Sequence, residues 1–233
     1  KSSRILELFR PGSTQGVRPW RPSFRVIMVS ERIIFLGAGG HARVLLSSLI
    51  GQTPEGYVAP SADSDLALRY LGTDNFLSEL NPDQVVLVNA LGSLGPDSKR
   101  LHLHKQFSKH GFKFKSVVHP NAHVSCDVEL GNGVQIMSGV IVQPGSAISE
   151  NVIINTGAQI DHDCNIGPHC HIAPGCILCG EVTVGANSHI GAGATILQGV
   201  TVGTGVRVGA GALVTKDIRK KALVKGIPAR EEN

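Results

Sequence analysis

Aromatic side chains supply only 4% of these 233 residues, with one Trp and two Tyr. There are too few rings to build a core from them, so β-branched and Leu side chains must fill the interior. No run of eighteen apolar residues occurs, and none of the chain reads as a transmembrane helix. The first thirty residues have neither the apolar stretch nor the small-residue cleavage site of a secretory signal, so a cytoplasmic protein with no membrane partner is expected. Charged residues are sparse at 17%, and the net charge of +4 misleads. In residues 1 to 27, Lys1, Arg4, Arg10, Arg18, Arg21 and Arg25 stand against Glu7 alone, giving +5 and leaving the rest of the chain near −1. The body of the protein has no nucleic-acid footprint.

What the chain does have is a beat of six. From Val118 to Val214 an aliphatic residue recurs at every sixth position, through Ile136, Val142, Ile154, Ile160, Ile172, Leu178, Ile190 and Ile196 among others. Four residues after each comes a small or β-branched residue, such as Ala158, Cys164, Cys170, Cys176, Ser188 and Ala194, and Gly often follows directly, as at Gly131, Gly167, Gly185 and Gly203. A helix would put residues six apart on different faces, and a lone amphipathic strand alternates at two. One short strand and one tight corner per six residues fits, with the branched side chain inward and Gly in strained backbone angles. Such periods belong to parallel β-helices, which stack coils over one aliphatic core. An inert solenoid rod is the plain alternative.

Before the repeat, Arg32-Ile33-Ile34-Phe35-Leu36 reads as a buried parallel strand leading into Gly37-Ala38-Gly39-Gly40-His41-Ala42 and a helix over Val44–Ile50. That order can hold a phosphate on backbone N–H groups at a helix N-terminus. NAD binding is disfavoured, because Gly56-Tyr57-Val58-Ala59-Pro60 ends the second strand without an acidic residue. Val85–Asn89 reads as another strand, followed by Ala90-Leu91-Gly92-Ser93, a helix from about Asp97 to His110 and a last strand over Phe112–Val117. The expected organisation is a leader or tail over 1–30, a small Rossmann-like β-α-β domain over 31–115, a β-helix over 116–219, and a cap over 220–233 that covers its exposed edge.

Within the repeat, Ile160-Asp161-His162-Asp163-Cys164-Asn165 is the most polar hexapeptide. Charged side chains on a β-helix face outward, and a carboxylate holding one ring nitrogen of His162 raises the basicity of the other, as a general base requires. A solvated polar turn is the bland reading of the same residues.

Several segments together resemble the NeuD/PglD-type sugar acetyltransferases: the Gly-Ala-Gly-Gly-His turn, Ala-Leu-Gly-Ser, Val118-His119-Pro120, Asn155-Thr156-Gly157-Ala158, Asp161-His162-Asp163-Cys164, His171-Ile172-Ala173-Pro174-Gly175 and Gly226-Ile227-Pro228-Ala229. The resemblance spans residue 31 to about 230. It implies a left-handed prism with three hexapeptides per coil, acetyl-CoA as donor, and a homotrimer with its sites between neighbouring prisms. The acceptor it implies is a nucleotide-linked amino sugar, of UDP-4-amino-sugar type, in bacterial surface glycan synthesis; O-acetylation of a sialic or related nonulosonic acid and a trimeric scaffold are the alternatives. By matched position, His162 is the base and Asp163 sharpens it. His171 meets the thioester region, Gly191, Ala192, Gly209 and Ala210 line the pantetheine path, and Gly39, Gly40, His41 and Gly92 contact the acceptor. In a three-sided coil Cys164, Cys170 and Cys176 fall at different corners, which favours a structural role. His171 and His189 stack on adjacent coils but lack a third ligand, so no metal site is expected there.

Overall fold

A computed structural model describes residues 32–62, 65–93 and 95–232. The expected leader over 1–30 lies outside the described residues. A five-stranded parallel sheet comes first, with β1 Arg32–Leu36, β2 Gly56–Val58, β3 Tyr70–Gly72, β4 Val85–Asn89 and β5 Lys113–Phe114 in the order β3-β2-β1-β4-β5. Alternation along β1 sends Ile33 and Phe35 into the core shared with the repeat, and Ile34 and Leu36 into a second core that Leu103 and Phe107 complete. The strand order reverses between β1 and β4, and the glycine turns after them flank that crevice, where open α/β sheets take ligands.

Four details differ from the sequence expectation. The first helix, α1, runs Gly40–Ser48 rather than Val44–Ile50, so the glycine turn flows into it and His41 sits in its first turn. The second, α2, runs Lys99–Lys109 because the Ser98 hydroxyl caps it, accepting from Leu101 N at 3.3 Å. The short strand β3, with its i→i+3 helical turn Asp74–Glu79, carried no strong pattern and was not expected. Phe112–Val117 is not one strand. Lys113–Phe114 closes the α/β sheet, while Val117–Val118 pairs with Gln135–Ile136 as the first strand of the repeat.

From there the chain winds as a left-handed parallel β-helix. Two-residue strands fall in turn on three walls, and up to the last coil each pairs in parallel with the strand eighteen residues on, the last step shortening to sixteen between Arg207 and Leu223. The first wall holds Gln135–Ile136, Ile153–Ile154, His171–Ile172, His189–Ile190 and Arg207–Val208; it runs on to Leu223–Lys225, where an antiparallel partner, Arg230–Glu231, closes the edge. The second includes Ile141–Val142, Gln159–Ile160 and Ile177–Leu178, the third Asn165–Ile166 and Thr183–Val184. Ile136, Val142, Ile154, Ile160, Ile172, Leu178, Ile190 and Ile196 are all 0% exposed, which confirms the aliphatic column as the core.

The two glycine patterns do different work. Positive φ recurs three residues after the aliphatic position, at Gly139, Gly145, Gly157 and Gly175, and it also falls on Asn151, Asp163, His169, Glu181 and Asn187. The glycines directly after the aliphatic residue are not strained, contrary to expectation. They are required by contact: a Cβ on Gly185 would lie 2.5 Å from Thr204 N, in the backbone of the next coil. Gly185→Ala is therefore expected to cost about 1–3 kcal/mol of stability, read as a lower denaturation midpoint in urea.

The α/β sheet docks on the outer side of the first wall. Outward positions there are buried at Gln135, Ile153 and His171, while those on the other walls are mostly exposed. Ala42 and Leu45 of helix α1, with Leu49 just after it, join a single core continuous with the prism.

Candidate active site

His162 stands at the corner between the second and third walls with its side chain 47% exposed. The turn is built by Asp163 in the left-handed region at φ 57°, with its N–H donating to Pro144 O at 3.0 Å on the previous coil. Asp161 turns back to accept from the His162 backbone N–H at 2.8 Å, and His162 Nδ1–H donates to Asp163 Oδ2 at 2.8 Å. The carboxylate can only accept, so the hydrogen sits on Nδ1 and Nε2 is left as the basic nitrogen. That hydrogen bond raises the His162 pKa above its ordinary value, helped by the nearby charges of Asp161, Asp163 and Glu181 against slight desolvation.

Two glycines make room for the pair. A Cβ on Gly180, one coil on, would fall 2.4 Å from His162 Nε2, and a Cβ on Gly145, one coil back, would fall 2.3 Å from Asp163 Oδ1. The imidazole thus fits only because residue 180 has no Cβ.

The other sequence-selected residues lie elsewhere on the prism. Gly191, Ala192, Gly209 and Ala210 stack at the corner between the first and second walls, where a Cβ on Gly191 would meet Val208 O at 2.5 Å and Ala210 N at 2.6 Å. They form a narrow ledge of backbone. His171, on the first wall, is only 8% exposed. Its Nδ1–H donates to Ser93 O at 2.5 Å, its Nε2 accepts from Asn155 Nδ2 at 3.2 Å, and His189 meets it edge-on at 4.9 Å. Both ring nitrogens are engaged, and burial pushes the pKa down to about 4. In this subunit, then, both nitrogens of His171 are taken up by groups of its own chain, on the wall that the α/β sheet covers. Gly39 and Gly40 are exposed at the start of α1, with His41 half-buried beside them. Gly92 opens onto a cavity of about 740 Å³ lined also by Lys99, Asn187, Thr204, Arg207 and Lys221.

The family described as bacterial transferase hexapeptide (six repeats) matches residues 181–216. No curated protein matches the chain. Among solved structures, the acetyltransferase domain of PglB from Neisseria gonorrhoeae FA1090 is 34% identical with a TM-score of 0.80, over 87% of this chain and 100% of that one. The chain belongs to the NeuD/PglD-type sugar acetyltransferases. PerB from Caulobacter crescentus, solved in complex with CoA and GDP-perosamine, is 37% identical with a TM-score of 0.79, over 86% of this chain and 97% of that one. WeeI from Acinetobacter baumannii AYE, at 20% identity and a TM-score of 0.60, shares the fold.

Among the described residues, His104, Glu150 and His169 offer ligand atoms within 4.8 Å of one another, a grouping that could suggest a metal. The amides around it assign the protons. Asn89 Nδ2 donates to Arg100 O at 2.9 Å and to Asn151 Oδ1 at 3.4 Å, so Asn151 Nδ2 faces His169 Nδ1 at 3.1 Å. His169 then carries its hydrogen on Nε2, which faces Glu150 Oε1 at 3.7 Å.

Sequence reasoning missed Gly180, Gly145 and Gln135. The first two could have been found as the residues one coil from His162 and Asp163, once eighteen residues per coil is known. Gln135 gave a signal as a polar residue beside the aliphatic column, but the element covering it was not legible. The His162 pKa offers a direct check: in a ¹H–¹³C titration it lies above the ordinary imidazole value, and Asp163→Asn brings it down.

Proposed function

We propose that this acetyltransferase moves the acetyl group of acetyl-CoA directly to the amine of a nucleotide-linked amino sugar, with His162 as general base. The observation that carries this is the half-exposed imidazole of His162, whose Nδ1–H is held by Asp163 so that Nε2 is left as the basic nitrogen, seated against Gly180 on a chain 37% identical to a protein solved with CoA and GDP-perosamine. His162 Nε2 takes a proton from the sugar amine as the amine nitrogen attacks the thioester carbonyl. The C–S bond then breaks, and CoA leaves as the thiol with that proton. Backbone N–H groups of the opposing wall hold the developing oxyanion. Cys164, Cys170 and Cys176 take no part: they are buried in the small-residue slots, and desolvation raises their pKa values to about 11, about 12 and about 11, leaving them as thiols.

The acceptor's nucleoside diphosphate lies at the Gly39–Gly40 turn, where the α1 N-terminus presents N–H groups with no acidic side chain in its first turn. Gly92 borders the same crevice from β4. The PerB complex supports an amine on a nucleotide sugar over the hydroxyl of a sialic acid, and it favours a guanosine diphosphate beside the uridine diphosphate that the resemblance implies. We place the reaction in bacterial surface glycan synthesis, where such sugars are consumed.

The working unit is a homotrimer. His162 occupies one edge of the prism and the Gly191–Ala192 and Gly209–Ala210 ledge another, so a single subunit does not bring base and pantetheine path together. A second copy does. Ile141 and Ile177 stand 36% and 39% exposed on the second wall and Leu197 is 40% exposed at its corner, an apolar strip beside His162 suited to that seam.

Incubation with acetyl-CoA and GDP- or UDP-linked amino sugars is expected to release CoA, and His162→Ala to slow that release by about 10²–10⁴-fold. Gly180→Ala pushes the ring aside and costs about 10²-fold in kcat with the fold intact. Because the neutral base reacts and Asp163 raises its pKa, Asp163→Asn moves the acidic limb of kcat/KM to lower pH while lowering the plateau. Turnover only on sialic-acid hydroxyls would reverse the acceptor assignment. Sedimentation is expected to show three copies, and Ile177→Lys to shift the population to monomer with loss of turnover.

A further inference from the structure

The imidazole of His41 is held in one tautomer by a residue of the β-helix. Its Nε2 lies 2.8 Å from Oε1 of Gln135, which is 0% exposed on the first wall. The other end of that amide, Nε2, donates to Asn89 O at 2.9 Å, an oxygen that also accepts from Arg100 Nη1 at 2.6 Å. A backbone carbonyl can only accept, so the amide cannot be turned round. Gln135 Oε1 therefore faces His41, the hydrogen sits on His41 Nε2, and Nδ1 is a bare lone pair with no partner among the described residues. Charging the ring is opposed as well. Burial is the main cause, Arg100 adds to it against the Gln135 hydrogen bond, and the pKa falls to about 4.

The end of α1 thus offers two opposite kinds of group. The Gly39–Gly40 turn presents N–H donors suited to phosphate, whereas His41 presents an acceptor that repels phosphate oxygens and fits a ligand O–H or N–H. We propose that His41 Nδ1 accepts a hydrogen bond from a hydroxyl or ring N–H of the acceptor's nucleoside, and that Gln135 is the positioning residue that fixes it in that role. This rests on the nucleotide-sugar acceptor proposed above. It makes His41 a specificity residue for the nucleoside rather than a cationic phosphate contact, and it ties nucleotide recognition to the wall that carries the coils.

The test is ¹⁵N-resolved NMR of the histidine side chains, with GDP and UDP as probes. In the free protein His41 is expected to show hydrogen on Nε2 and a bare Nδ1, and saturating nucleotide is expected to shift Nδ1 in the sense of an accepted hydrogen bond. Hydrogen on Nδ1, or an Nδ1 resonance unmoved by saturating nucleotide, overturns the proposal. Binding to variants separates it from the phosphate role. Gln135→Glu puts a carboxylate beside Nε2 and favours a second hydrogen on Nδ1, so nucleotide affinity at neutral pH should fall by about tenfold, the value of one hydrogen bond. Unchanged or tighter binding would mean a cationic phosphate contact. Gln135→Leu, which adds no buried charge, should weaken binding by a similar factor, and the wild-type spectra stand even if Gln135→Glu fails to fold. Nucleotide seen at His41 without CoA release from any amino sugar would overturn the acetyl-transfer proposal and leave this one standing. CoA release from an amino sugar with no nucleotide shift at His41 would do the reverse.

Discussion

The close stacking of one coil on the next, about 4.8 Å apart, is the constraint on which everything else depends. At that spacing the backbones touch at the corners, so Gly131, Gly167, Gly185 and Gly203 have no room for a Cβ. The same closeness makes the site. His162 rests against Gly180, and Asp163 against Gly145, because residues eighteen apart in sequence are neighbours along the prism. An imidazole 47% exposed, which would otherwise sample many rotamers, is given one orientation by backbone below it and a carboxylate beside it.

A second set of contacts joins the α/β sheet to the first wall, and it is made of buried polar groups. Arg100 is 2% exposed, and its Nη1 donates to Asn89 O and Leu91 O at the end of β4. Gln135 reaches that same carbonyl from the prism, and Ser93 caps the His171 ring. Desolvation depresses the pKa of Arg100 to about 9 and those of His41, His104, His169 and His171 to about 4, so near neutral pH the guanidinium stays charged and the four imidazoles stay neutral around it. Neutral imidazoles let these contacts form without setting five cations against one another.

The aliphatic beat was legible because it is a consequence of backbone geometry: one strand residue in six must point inward, and a wrong residue there breaks the core. The exposed, acid-flanked His162 was legible for a related reason, since charge on a wall has only one way to face. The α/β elements were read less well at their ends. Pattern could not separate Phe114 from Val117, which join different sheets across a two-residue step. The role of the glycine after each aliphatic residue was misassigned to strain, because sequence shows that a glycine is there and not whether φ or a neighbour demands it. The burial of His171 was not legible either, because the Ser93 carbonyl that meets its ring lies 78 residues earlier in the chain.

Sequence by itself determined the winding, the aliphatic core, the outward His162 with its carboxylates, and the glycine turns after β1 and β4, because each follows from local periodicity or from the sign of a side chain's hydration. Only the tertiary structure decided which wall the α/β sheet covers, that Gly180 and Gly145 seat His162 and Asp163, that His171 is buried, and on which nitrogen His41 carries its hydrogen. Those depend on residues brought together from distant parts of the chain, whose identities carry no mark of the partner they will meet.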